Sequence, residues 1–171
     1  FGLLGALFQL NILLYSKRMM FVDDFLSSLL LVILALGIGT GGILAGKLSH
    51  EKVELGLVPI GATGLALFSL LLGFSYTSYL VVAFSLFFLG TSAGLYIVPL
   101  NAFVQRESPP DQRGKILATG NFLSFSAMLV GSGLLYLFRD LLYLNSAHVF
   151  IVMGCVTAAG ASVVWMKNTK V

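Results

Sequence analysis

The sequence predicts an all-α membrane protein, with six transmembrane helices packed as an antiparallel bundle. Composition is the first reason: of the 171 residues, 58% are hydrophobic and 10% charged, against about 25% charged in soluble domains. The second is a series of six apolar runs of near membrane-crossing length, separated by short polar breaks. The third is that none of the runs shows the apolar–polar alternation of barrel strands.

The first run, Phe1 to Ser16, is apolar from its first residue, with no initiating Met and no basic residues before it. It is expected to be a clipped span of a longer polypeptide, not a signal peptide. At about 100° per residue, Asn11 and Tyr15 share a face while Gln9 lies nearly opposite. Both amides therefore cannot line one narrow cavity, and one is expected to bond a neighbouring helix.

The second run, Phe25 to Leu48, is rich in glycine. Ala35, Gly39, Gly42 and Gly46 fall on one face, and Gly37 with Gly41 forms a second small pair. Two neighbours are expected to approach its backbone closely. A phosphate-binding reading of GIGTGG fails, because a phosphate loop follows a strand and opens a helix, whereas this run lies late inside an apolar one. The third run, Leu57 to Phe74, follows after a short charged connection.

Residues 79–105, the fourth run, carry no charge, and at about 1.5 Å per residue they exceed the ~30 Å hydrocarbon core. Gly90, Gly94, Asn101 and Gln105 fall on one narrow stripe, joining a close-packing surface to amides that can bond a partner or a ligand. Pro99 removes a backbone hydrogen bond and is expected to kink the helix just before Asn101, as a hinge. Pro109 and Pro110 end this run, with Asp111 as a cap for the next. The fifth run, Lys115 to Phe138, places Asn121, Ser124, Met128 and Ser132 on one stripe of amide, hydroxyl and soft apolar surface, which suits an amphiphilic ligand. The sixth, Ala147 to Met166, holds the single cysteine, Cys155, read as a small buried apolar residue. One cysteine excludes an internal disulfide or a cysteine zinc cluster.

Basic residues set the orientation. If the first span leaves the cytoplasm, that side receives Lys47, Lys52, Arg106, Arg113, Lys115, Lys167 and Lys170, and the other receives Lys17, Arg18 and Arg139. Both ends of the chain are then expected to be cytoplasmic. No Asp, Glu, Lys, Arg or His lies in the middle of a span, so neither a proton relay nor a buried ion pair is expected. His50 and His148 fall on opposite sides and cannot share a metal. With no nucleophile–base pair and no paired carboxylates, the chain is not expected to be an enzyme or to hold a metal or cofactor. A net charge of +3, spread between spans, gives no support to nucleic-acid binding.

The loop PPDQRGK between the fourth and fifth runs, and the glycine-rich second run ending GGILAGKLS, resemble the carboxy-terminal half of a major facilitator superfamily transporter, helices seven to twelve. GLYIVPLNAFVQ followed by RGKILATGNFLSFSAML resembles the bacterial lysophospholipid transporter group within it, with VPLNA, Val98 to Ala102, as the most specific part. The resemblance covers essentially the whole chain. The loop KLSHEKVELG departs from it by lacking the acidic and repeated basic residues of the usual facilitator signature.

The resemblance implies one half of a facilitator bundle in a bacterial inner membrane, completed by an amino-terminal six-helix half. It implies inward movement of a lysophosphatidylethanolamine-like lipid for re-acylation, by a domain that occurs alone or fused to acyltransferase and acyl-carrier ligase domains. The residues expected to contact such a substrate are Asn101, Gln105 and Asn121, then Asn11 and Tyr15. Two other readings stay open: a facilitator half that exports another small amphiphile, and a membrane anchor for a fused acyltransferase.

Overall fold

The structure, a computed structural model, describes residues 2–49, 56–75, 78–138 and 145–168. Six helices follow one another: α1 Gly2–Met19, α2 Asp24–Leu48, α3 Leu57–Phe74, α4 Tyr79–Glu107, α5 Arg113–Tyr136 and α6 Ser146–Asn168. No strand occurs among the described residues. Four of them, α2 to α5, are long and apolar enough to cross a membrane; α6 is apolar over Ser146–Ser162. The chain is an all-α, multi-pass membrane bundle of six helices.

The expected runs and the helices agree closely, with one informative extension. α1 continues past Ser16 through Lys17 and Arg18 to Met19, because cations suit the carbonyl end of a helix. The chain then reverses at Phe21, which has φ 51°, while the Val22 amide donates to the Ser16 carbonyl at 3.3 Å. Across this turn the Lys17 ammonium lies 2.7 Å from the Asp24 carboxylate.

Cross-helix contacts fix the directions. Along α2 and α4, Leu26 meets Tyr79, Gly37 meets Gly90 and Gly42 meets Gly94, so the two helices run parallel. Leu70 meets Gly154 and Thr63 meets Trp165, so α3 and α6 are antiparallel. Gly2 lies on Ser124 and Leu3 on Gly131, which makes α1 and α5 parallel. The starts of α1, α3 and α5 therefore share one end of the bundle with the last turns of α2, α4 and α6. Lys47, Arg106, Arg113 and Lys115 lie at this basic end, whereas Lys17 and Arg18 lie at the other. Lys52, Arg139, Lys170, His50 and most of the loop KLSHEKVELG lie outside the described residues.

The pairing has an internal symmetry. α4 packs on α2 and α3, α1 packs on α5 and α6, and α3 packs on α6. Exchanging α1 with α4, α2 with α5 and α3 with α6 leaves that list unchanged; a lighter α1–α2 contact has no comparable counterpart between α4 and α5. Because α1 and α4 point in opposite directions, the chain consists of two inverted three-helix units, each lending its first helix to the other.

Glycine sets the closest approaches. A Cβ on Gly94 would lie 2.5 Å from the Ile38 carbonyl oxygen and 2.6 Å from the Gly42 nitrogen, and one on Gly41 would run into the Thr91 carbonyl. On the opposite flank of α4, a Cβ on Gly61 would come within 2.7 Å of the Tyr96 nitrogen. α4 is thus gripped on both flanks, backbone against backbone. This corrects the expectation for α2. Ala35, Gly39 and Gly46 are exposed and nothing lies within 4 Å of a Cβ on Gly39 or Gly46, whereas Gly42 keeps part of its expected packing role through its backbone, which lies against Gly94. The packed stripe is Leu30, Leu34, Gly37, Gly41 and Ala45, all buried; its bulky leucines make it the core-facing side, and its glycines then admit the partner.

Candidate functional site

Polar groups within the spans divide into two sets. In the first, side chains bond across helices inside the bundle, although the Asn11 Oδ1 is buried there with no hydrogen-bond partner. Asn11, 1% exposed, donates its amide to the Ser146 carbonyl at 2.9 Å. The Tyr15 hydroxyl, also 1% exposed, donates to the Leu72 carbonyl at 2.8 Å, with the Ser75 carbonyl at 3.3 Å. The Tyr15 ring stands edge-on to Phe150 at 5.2 Å, and Phe8 stacks on Phe150 at 6.0 Å. Ser69 donates to the Phe150 carbonyl at 2.8 Å and Tyr79 to that of Leu26 at 3.1 Å. These bonds tie α1 to α3 and α6, α3 to α6, and α4 to α2. Asn11 and Tyr15, expected as ligand contacts, are therefore packing residues: Leu7, Phe8 and Leu14 surround Asn11 at helical spacing, and that apolar face turns inward.

In the second set the polar side chains lie open. Asn101 and Gln105 are exposed on the last two turns of α4, where every residue from 101 to 107 is exposed. Their stripe packs against α2 as far as Gly94 and then emerges, because α2, running parallel, ends at Leu48. Pro99, less than 2% exposed, marks the change, and the helix continues through it without interruption. Asn121 is exposed on the third turn of α5, with Ser124, Met128 and Ser132 exposed below it. The amides of Asn101, Gln105 and Asn121 make no side-chain hydrogen bond among the described residues. α5 is open almost all round: only Gly131 and Leu135 are buried.

Two clefts enter the bundle near this open set. The first, about 150 Å³, lies among α1 to α5, and Gln9 and Met128 are on its exposed rim. The second, about 310 Å³, lies among α1, α3, α4 and α6, lined by Tyr96, Thr157 and Gly160 among others. No charged side chain lines either cleft. Gln9 is the residue that sequence reasoning passed over. The two amides of α1 do point apart as expected, but the cavity side is that of Gln9, which sits one turn from Gly5. Cys155 is exposed on α6, not buried as expected, since α6 turns Met153 and Thr157 inward and Cys155 away from them.

The open set presents amides, hydroxyls and a soft thioether, groups able to hydrogen-bond and to make apolar contact. A family model, Major Facilitator Superfamily, matches residues 1–132, which takes in α1 to α4 and most of α5. No curated protein and no solved structure matches the chain. Six membrane helices in two inverted three-helix units form one half of a facilitator bundle. The chain accordingly belongs to the major facilitator superfamily of secondary transporters.

Proposed function

We propose that this chain is the carboxy-terminal half of a facilitator that moves lysophospholipid, of the lysophosphatidylethanolamine kind, inward across a bacterial inner membrane for re-acylation. The observation that carries the reading is the open amide set Asn101, Gln105 and Asn121 on α4 and α5, whose spans hold no charged side chain between their terminal turns. A zwitterionic head group needs hydrogen bonds without net charge, and a single acyl tail needs apolar surface beside them. Both are supplied by α4, α5 and the adjoining clefts. Pro99 acts as the hinge at which the open end of α4 moves relative to its packed half. An amino-terminal half supplies the opposing wall, both ends of this segment face the cytoplasm, and any acyltransferase chemistry belongs to fused or associated domains.

The test uses the full-length protein in spheroplasts with labelled lysophosphatidylethanolamine outside. Asn101→Leu and Asn121→Leu, at membrane levels matched to wild type, are expected to lose inward, re-acylated label. Unchanged uptake in both would overturn the transport reading in favour of a membrane anchor. Competition of a drug substrate against lysolipid uptake would instead favour an exporter of another amphiphile.

A further inference from the structure

Leu4 and Leu65 line both clefts, so the 150 Å³ and 310 Å³ spaces are separated by two leucine side chains. The place is where the fold leaves room: α1 packs on α2, α5 and α6, and α4 packs on α2 and α3, with no extensive contact between α1 and α4 themselves. Small residues keep the spaces open on either side. Nothing lies within 4 Å of a Cβ built on Gly5, in the first cleft, or on Gly160, in the second. The mouths are separate as well, since Gln9 and Met128 are exposed at one and Val156 and Gly160 at the other.

The chemistry of the lining narrows the occupant. Thr157 spends its hydroxyl on the Met153 and Gly154 carbonyls, at 2.8 and 2.9 Å. Apart from Gln9 on its rim the first cleft is lined by apolar residues, and about 300 Å³ is the lower limit of ordinary ligand pockets. What suits a narrow, mostly apolar space within a bilayer is an alkyl chain. Leucine rotamers exchange between staggered wells without moving the backbone, so the wall can open.

We propose that the two clefts form one acyl-chain slot through the bundle between α1 and α4, gated by Leu4 and Leu65, with Gln9 at its head-group mouth. This rests on the amphiphile reading above and adds where the tail goes. A filled slot then measures chain length: each methylene left in a water-filled central cavity costs about fourfold in affinity.

The experiment uses the full-length protein in proteoliposomes with short-chain and long-chain lysophosphatidylethanolamine. Gly160→Leu fills the second cleft where a Cβ meets no obstacle. It is expected to raise KM for the long chain by about fourfold per excluded methylene, while the short chain keeps its wild-type KM. Equal effects on both chains, or none on either, would overturn the slot. Separately, a long-chain lysolipid with a diazirine at its terminal carbon is photolysed on the wild type and mapped by peptide mass spectrometry. Label on Leu65 or Val156, lost in Gly160→Leu, is expected. Label there without net lysolipid movement would uphold the slot and remove the transport reading, whereas movement without such label would do the reverse.

Discussion

Replacing Gly94 by alanine tests the seam between α2 and α4. The added methyl would lie 2.5 Å from the Ile38 oxygen, 2.6 Å from the Gly42 nitrogen and 2.8 Å from the Gly41 carbonyl carbon. Ordinary contacts sit at about 3.5–4.0 Å, so the helices must part by roughly 1 Å. All three obstacles are backbone, and no side chain can rotate away. Overpacking costs about 1–3 kcal/mol, and an obstacle of this kind belongs at the upper end, near 3 kcal/mol. Alanine returns about 1 kcal/mol through its better helix propensity, leaving a net loss near 2 kcal/mol. Gly39→Ala, on the exposed face of the same seam partner, gains the propensity and meets nothing within 4 Å, so it should be neutral or stabilising by up to about 1 kcal/mol. The two variants are compared by thermal unfolding of the full-length protein in one detergent, followed by circular dichroism. Gly94→Ala should melt well below wild type and Gly39→Ala at or above it; coincident transitions for the two would refute the assignment of the packed face.

Other expectations follow from the division between packing and open polar groups. Tyr15→Phe removes the donor to the Leu72 and Ser75 carbonyls and should lower stability by about 1 kcal/mol while leaving KM for lysolipid unchanged; a changed KM would return Tyr15 to the binding surface. Ser69→Ala, which breaks the α3–α6 bond to the Phe150 carbonyl, should cost about 0.6 kcal/mol, the size of hydrogen bonds between membrane helices, measured in the same melt. Gln9→Leu should impair lysolipid uptake with folding intact, whereas uptake equal to wild type would remove Gln9 from the head-group mouth. Phe21→Asn should stabilise the protein by up to about 1 kcal/mol, since asparagine adopts the left-handed conformation more readily than phenylalanine.

The helices were legible because an apolar run of membrane length leaves few alternatives. Their faces were legible only in part. Helical spacing groups Ala35, Gly39, Gly42 and Gly46 and, separately, Gly37 and Gly41, but which group meets a neighbour depends on a helix fifty residues away. The leucines at 30 and 34 were the local sign of the inward face. Asn11 carried a similar sign in Leu7 and Phe8, yet an amide inside a membrane span reads first as functional, and its use in holding α6 needed Ser146 in place. Gly61 of α3 had no special pattern at all; its role appears only when α4 lies across it. Asn101, Gln105 and Asn121 stood out because polar residues are scarce there, and their openness follows from where α2 stops.

The glycine seam also distributes stiffness. Two backbones in direct contact have no rotamers between them to absorb a displacement, so α2 and α4 move together as a plate. α5 is seated on α1 through Gly131 and Leu135 toward its far end and through Ser124, whose backbone lies against Gly2. A load applied at the basic end therefore falls on the part of α5 that precedes Ser124, and Asn121, three residues before that seat, sits on the free arm.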